Sequence, residues 1–233
     1  MRFAVLAAAA TMAASALVPS PRQAEPFVPM AVDYAVDPLT SPSTTAGDLQ
    51  SIRNLGFNII ATVVRWRDAE PAPGKYSFAS LERTLAAAEQ AGLRVQVTLD
   101  NTAPDWLFDR YPDGRRVTGT QTPASPPENA ACFDHPAVRA ALQAFLESAS
   151  RIVSRSPAFF ALDAGSPTPV GFCLCPNTAR RFAASAKESG LDHDAFVRTS
   201  LRDDLKWMIS QTAPSYARIV GAHSRVPSLL QRT

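Results

Sequence analysis

The side chains best equipped for chemistry lie in one stretch, FFALDAGSPTPVGFCLCPNT, from Phe159 to Thr178. It reads as a short apolar strand running into a turn-rich loop, with Asp163 at the strand end and Cys173 and Cys175 closing the loop. Polar groups at strand ends are where α/β enzymes carry catalysis, and two thiols one residue apart offer soft ligands to a metal ion. The strand end reads Asp163-Ala164-Gly165, so Asp163 alone brings a group that can move a proton. Cys132, earlier in the chain, brings the cysteine count to three. An odd count does not make a closed disulfide framework, and cysteines at i and i+2 rarely bond to each other because the geometry is strained. Two readings stand: a bridge from Cys132 to one of the pair in an oxidising compartment, or a metal cluster that uses all three.

Strands and helices must position these groups, and the hydrophobic pattern supplies them. PFVPMAVDY is a strand candidate ending at Asp33-Tyr34. GDLQSIRNLG places Leu49, Ile52 and Leu55 at helical spacing before a stop at Gly56. FNIIATVVRW is a continuous β-branched run, expected as a strand buried on both faces. SLERTLAAAEQAG is a helix with Leu81, Leu85 and Ala88 inward and Gly92 as its cap. LRVQVTLDN is the third strand, followed by a Pro-, Gly- and Thr-rich loop from Thr102 to about Asp134. HPAVRAALQAFLESASRIVSRSP is strongly amphipathic, with Val138, Leu142, Phe145, Leu146, Ala149, Ile152 and Val153 on one face. AFFALDAG is the fourth strand, and beyond Thr178 only helices are expected: TARRFAASAKESG, then HDAFVRTSLRDDLKWMISQT with Phe196, Leu201, Leu205, Met208 and Ile209 inward.

Strand–helix alternation predicts a parallel sheet, doubly wound or in a (β/α) barrel. No Gly-rich phosphate loop follows the first strand, which argues against a dinucleotide fold. Polar or aromatic residues mark the strand ends instead (Asp33, Trp66, Asp100, Asn101, Asp163), the distribution expected of a barrel's active face. The expected architecture is therefore α/β, a partial (β/α) TIM-type barrel with strands one to four and additional C-terminal helices. A complete barrel typically needs about 250 residues.

Composition sets the remaining bounds. A hydrophobic fraction of 46% and a charged fraction of 19% fit a globular protein with a real core. A net charge of +2 with Arg scattered among Asp and Glu gives no basic stripe for nucleic acid. The first residues, MRFAVLAAAATMAASALVPS, pair an early positive charge with an Ala-rich apolar run and the small residues Ala14-Ser15-Ala16. These predict a signal peptide and disordered leader over 1–24, a single domain over 25–233, and export to the periplasm or the extracellular space. The run is too short for a membrane span, so no membrane association is expected after cleavage.

Four segments in order resemble the N-terminal half of the catalytic barrel of glycoside hydrolase family 42, the β-galactosidases, from about Val32 to Phe182. DLQSIRNLGFNII is similar to the first helix leading into strand two. WRDAEPAPGKYSFASLER carries the pattern after strand two in Trp66, Glu70, Pro71, Gly74, Tyr76 and Phe78. TAPDWL, with Trp106, and CFDHPAVR resemble the segments after strand three and into the next helix, and CLCPNTARRF resembles the cysteine-rich turn before helix four.

The resemblance implies a fold, an activity and a point of departure. Enzymes of this family hydrolyse a β-linked terminal sugar with retention, using two carboxylic acids about 5–5.5 Å apart. The acid/base lies in an Asp-Asn-Glu run at the end of strand four, which aligns with Asp163-Ala164-Gly165, so Gly165 stands at the acid/base position. The nucleophile belongs to strand seven, which the expected strands do not reach. Strand-two Arg and Glu of the family align with Ile60 and Val63. No confident catalytic residue is left. Asp163 can substitute as an acid or serve only as a hydrogen-bonding group at the barrel mouth, and Glu70 is expected to anchor a turn. Trp66, Asn101, Trp106 and Asp163 form the expected carbohydrate-binding set, with both tryptophans as stacking platforms or as packing under the loops. The resemblance also implies a structural zinc held by four cysteines; Cys132, Cys173 and Cys175 match three, and Thr178 stands at the fourth. No cofactor is otherwise required.

The expected function is that of a β-galactosidase-like protein with the catalytic acid missing, retaining glycan binding. The alternatives are an active glycosidase component completed by a second chain or a further segment, and a truncated remnant without activity. Open strand edges predict a homo-oligomer, two partial barrels closing one ring.

Overall fold

The computed structural model describes residues 27–35, 40–117, 130–163 and 173–212. The expected signal peptide, together with Ala164 and Gly165, lies outside these residues. Strands β1 (Ala31–Asp33), β2 (Ile59–Arg65), β3 (Arg94–Asp100) and β4 (Phe159–Asp163) form one parallel sheet in the order β1-β2-β3-β4. That order decides between the two expected windings. Right-handed crossovers between strands added always on the same side put every connecting helix on one face, which is the barrel winding; a doubly wound sheet reverses direction at a switch point.

The helices confirm it by their neighbours. Helix α1 (Pro42–Asn54) packs beside α3 (Ala79–Gln90), α3 beside α5 (Pro136–Val153), and α5 beside α7 (His193–Gln211). Short helices α2 (Trp66–Ala69) and α4 (Asp105–Arg110) follow β2 and β3, and α6 (Pro176–Ser189) precedes α7. Local chemistry starts these helices. Ser41 caps α1 by accepting from Thr44 N at 3.1 Å, with Pro42 in the first turn. Asp192 caps α7 through Ala195 N at 2.7 Å. His135 caps α5 with Nδ1 toward Val138 N at 3.4 Å.

The core lies between the sheet and this helix layer. Ile60, Val95, Val97, Leu99 and Leu162 face Leu49, Leu81, Leu85, Leu142, Phe145 and Leu146 in one buried cluster. Trp66 and Phe145 stack at 5.9 Å between ring centres. Burying one such large side chain contributes about 1.5–3 kcal/mol, so this layer carries most of the fold's driving force.

Alternation in the strands fixes the opposite face. Ala61, Val63 and Arg65 of β2 pair with Gln96, Thr98 and Asp100 of β3, all turned away from the helices. Here the expectation for β2 is corrected: it is not buried on both faces, since Val63 is 53% exposed and Arg65 is open to solvent. This face would line the interior of a closed barrel. The helix stripes are also adjusted. Leu49 is buried but Leu55 is 76% exposed at the C-terminus of α1, past the last turn that touches the sheet. In α7 the buried stripe is Phe196, Ser200, Asp204 and Met208, while Leu205 and Ile209 are exposed. Asp204, bound by Arg139 and Arg181, turns that helix away from its apolar reading.

Candidate functional site

Each strand ends on a polar side chain: Asp33, Arg65, Asp100 and Asp163. Register places all of them on the open face. Asp33 lies level with Ala61, Arg65 with Asp100, and Asp163 with Thr98. Arg65 is 3.9 Å from Asp100 and 3.8 Å from Asp68, a solvated ion pair of small energetic worth. Asp100 also accepts from Thr102 N at 2.8 Å and from its hydroxyl at 2.6 Å, which starts the loop after β3.

Asp163 reaches this face through a bulge. Val95 pairs with Phe159 but Gln96 with Ala161, so Phe160 is an extra residue. A uniform register would set Asp163 level with Leu99 on the helix side; one inserted residue reverses the face of everything after it. Phe159 and Leu162, three apart, are both buried as a result, and Asp163 is exposed.

The expected sugar-binding residues separate. Trp66 is fully enclosed, stacked on Phe145, with its indole N–H donating to Glu70 Oε2 at 2.7 Å. It presents no ring face to a ligand, and its reading as a stacking platform is corrected to packing. Asn101 is buried at the start of the loop after β3, and Trp106 is half-buried, its N–H donating to the Glu70 carbonyl at 2.9 Å. Of the aligned strand-two positions, Ile60 lies in the core and only Val63 faces the open side.

Glutamates are absent from the described strand ends. Glu82 and Glu89 lie on α3, Glu147 on α5 and Glu188 on α6. Glu70 follows α2, is 2% exposed, and has both carboxylate oxygens engaged by Trp66 and by Gly74 N at 2.7 Å.

A second cluster forms where the loop after β3 meets α6. An isolated bridge pairs Arg115 with Ala131, and Cys132 N donates to the Gly114 carbonyl at 2.8 Å. Leu174 N donates to the Val117 carbonyl at 2.7 Å, and Asn177 Nδ2 to the Asp113 carbonyl at 3.2 Å, which lays the segment of Cys173 and Cys175 alongside. Gly114 is required there: a Cβ would meet Val138 Cγ2 at 2.7 Å. The three sulfurs lie within 4.8 Å of one another, buried, with Cys132 and Cys175 Sγ 3.2 Å apart. All three are free thiols. Hydrogen bonding to Cys173, together with burial, pushes the Cys132 thiol up, while the bond it receives from Cys132 brings the Cys173 thiol down.

Thr178 closes the cluster. Its Oγ1 is 3.5 Å from both Cys132 and Cys175 Sγ, and its hydroxyl donates to Asp134 Oδ2 at 2.6 Å. Arg181 pairs with Asp134 and lies 3.3 Å from Asp204, which Arg139 meets at 3.0 Å. Arg139 in turn lies over the Trp207 ring at 3.9 Å. This chain of charges is why Asp204 sits on the buried side of α7. Zn–S bonds of about 2.3 Å give tetrahedral sulfur–sulfur edges of about 3.8 Å. Three buried thiols at these separations form a group that fits such an ion. Sequence spacing found all three cysteines; Asp134 and Arg181 were missed, because nothing in the pattern ties a lone Asp-Arg pair 47 residues apart to a thiol cluster.

A family model described as Beta-galactosidase, Glyco_hydro_42, matches residues 33–200, well over half of the 233-residue chain. The chain belongs to glycoside hydrolase family 42. Among curated relatives, β-galactosidase BgaA of Clostridium cellulovorans is 21% identical over 138 residues, 58% of this chain and 21% of that protein. β-Galactosidase BglY of Alicyclobacillus acidocaldarius is 30% identical over 88 residues, 36% of this chain and 13% of that protein. Among solved structures, the β-galactosidase of Rahnella sp. R3 superposes with a TM-score of 0.61 at 17% identity, covering 84% of this chain and 34% of that one. Gan42B, a GH42 β-galactosidase from G. stearothermophilus, gives 0.57 at 19% identity, covering 86% and 34%. The chain thus spans about a fifth or less of these curated relatives and about a third of these solved ones. Within the family-42 fold its four strands occupy one contiguous part of the (β/α) barrel.

Proposed function

We propose that this chain is the N-terminal part of a family 42 barrel that recognises a terminal β-galactoside but does not hydrolyse it when isolated. The observation that carries this reading is the composition of the strand ends: among the described residues the open face offers Asp33, Arg65, Asp100 and Asp163, and no glutamate. Retaining hydrolysis needs one carboxylic acid to protonate the leaving oxygen and a second to attack the anomeric carbon, about 5–5.5 Å apart. Gly165, at the aligned acid/base position, has no proton to give. Asp163 is one methylene shorter than Glu and two residues earlier, and proton transfer requires heavy atoms within about 2.6–3.2 Å or one bridging water. Recognition is less demanding. Trp106 at the rim offers part of a ring for stacking, and the exposed Asp163 offers a carboxylate for sugar hydroxyls, with Asn101 buried beneath the rim.

The three-cysteine group supports a structural role for zinc. Thiolates from Cys132, Cys173 and Cys175 would tie the loop after β3 to the start of α6, and bound metal would add to folding stability. The N-terminal pattern supports export, and the edge strands support self-association. A second reading has one observation in its favour. β1 and β4 each have a strand neighbour on one side only among the described residues, and Val63 is left 53% exposed, as they would be if further strands from another segment or chain completed the barrel.

Titration calorimetry with a β-galactoside against the purified chain, beside the same ligand against Trp106→Ala, tests recognition. Saturable heat that weakens tenfold or more in the variant is expected. Equal heats with both proteins, or none with either, would remove the binding claim.

A further inference from the structure

The thiol cluster departs from a four-cysteine site at one corner, and that corner is filled. We propose that Thr178 Oγ1 is the fourth ligand of a three-thiolate site for a thiophilic divalent ion, with Asp134 as the acceptor that aims it. This goes beyond the carbohydrate reading and does not depend on it. Four observations carry the assignment. Bond lengths of about 2.3 Å to sulfur and 2.0–2.2 Å to oxygen give a tetrahedral sulfur–oxygen edge of about 3.6 Å; Thr178 Oγ1 stands 3.5 Å from two of the sulfurs. The Thr178 hydrogen is committed to Asp134 at 2.6 Å, which leaves the oxygen lone pairs on the side of the thiols. Asp134 is held in turn by Arg181, itself tied to Asp204, so the hydroxyl is oriented from behind. Burial favours a protein ligand over water: Thr178 is 2% exposed, Cys132 1% and Cys175 2%.

On binding, three S–H protons leave to solvent and three metal–sulfur bonds form. The Thr178 hydroxyl keeps its proton, shared with Asp134, while its oxygen completes the tetrahedron. The resulting site carries three thiolates and one neutral oxygen around the divalent ion, a net charge of about −1 that Arg181, beyond Asp134, offsets in part. An oxygen corner of this kind binds less tightly than a fourth thiolate.

Zinc K-edge X-ray absorption on the reduced full chain, loaded with one equivalent of Zn²⁺, tests this together with competition against a chromogenic chelator. The expected result is three sulfurs at about 2.3 Å and one oxygen at about 2.0–2.2 Å. Thr178→Val should lose the oxygen and bind roughly 10–100-fold more weakly. Thr178→Cys should show four sulfurs and bind more tightly, and Thr178→Ser should keep the wild-type signature. If the valine variant does not fold, the serine and cysteine variants decide by the same spectra. An unchanged oxygen in Thr178→Val, a serine variant without it, a Cys132–Cys175 disulfide in place of the ion, or no zinc on the reduced wild type would each overturn the assignment.

Discussion

Glu70 is a buried carboxylate that forms no salt bridge among the described residues. It is held instead by neutral donors: the Trp66 indole at 2.7 Å and Gly74 N at 2.7 Å. Burial, and then the adjacent Glu70 charge, raises the Tyr76 phenol, so that hydroxyl stays protonated and faces the carboxylate. Glu70→Ala leaves the buried Trp66 indole without its acceptor and releases the Gly74 N–H of the exposed turn, an expected loss of about 1–3 kcal/mol in urea unfolding; Glu70→Gln, which keeps one acceptor, should lose less. The paired thiols give a pH signature. Cys173 ionises below the ordinary thiol value of about 8.5, so between the two values the unfolded chain binds more protons and stability rises with pH. Cys132 is raised, and its contribution is present below the ordinary value and falls away above it. Thermal melts of the metal-free chain should therefore show an advantage over Cys173→Ala that grows from about pH 6 to pH 8; an advantage flat across that range would contradict the shared-proton arrangement. At this scale the cysteines were legible because thiols are rare and their spacing is informative. Trp66 was not: a tryptophan next to a strand end looks the same in sequence whether its indole N–H meets a ligand or a buried Glu.

Elements were legible where one periodicity governed them. β3 alternates cleanly and α5 buries its predicted stripe, because apolar contact alone decides their faces. α7 was misread at Leu205 and Ile209, since its orientation is set by Asp204 bound to Arg139 and Arg181 rather than by its leucines. The loop after β3 was expected to be irregular, yet it holds α4 and a short 3₁₀ turn at Pro112–Gly114. The bulge at Phe160 had no sequence signal, since an inserted apolar residue in an apolar strand changes no pattern. Gly114 tests this element directly. Gly114→Ala drives a Cβ to 2.7 Å from Val138 Cγ2, and such overpacking costs about 1–3 kcal/mol. Because the Gly114 carbonyl also positions Cys132, zinc affinity should fall with stability. Adding Val138→Ala should cost less in the Gly114→Ala background than in the wild type, read as a non-additive double-mutant cycle by denaturant unfolding. Additive losses would mean that the two do not touch.

Among the described residues the sheet has one face covered by helices. Ile60, Val95, Val97 and Leu99 are sealed by helices, whereas Val63, Arg65 and Asp163 look out from the other side. Parallel sheets are normally covered on both faces, and open edges invite pairing. The purified chain is accordingly expected to self-associate: light scattering over a dilution series should give a mass that rises with concentration, and a constant monomer mass at micromolar concentration would contradict it. The winding was legible as strand–helix alternation, but the choice of barrel over doubly wound sheet needed the strand order. What the open face does is decided by its carboxylates. Positioned acid/base help is commonly worth about 10²–10⁴-fold, and the described strand ends offer aspartate but no glutamate. The most direct measurement is prolonged incubation of the 233-residue chain with an aryl β-galactoside, followed by the released phenol, beside Asp163→Ala. The account predicts release at the buffer rate for both proteins, even at ligand concentrations that saturate binding; sustained turnover by the wild type that vanishes in Asp163→Ala would contradict it and make Asp163 the catalytic acid.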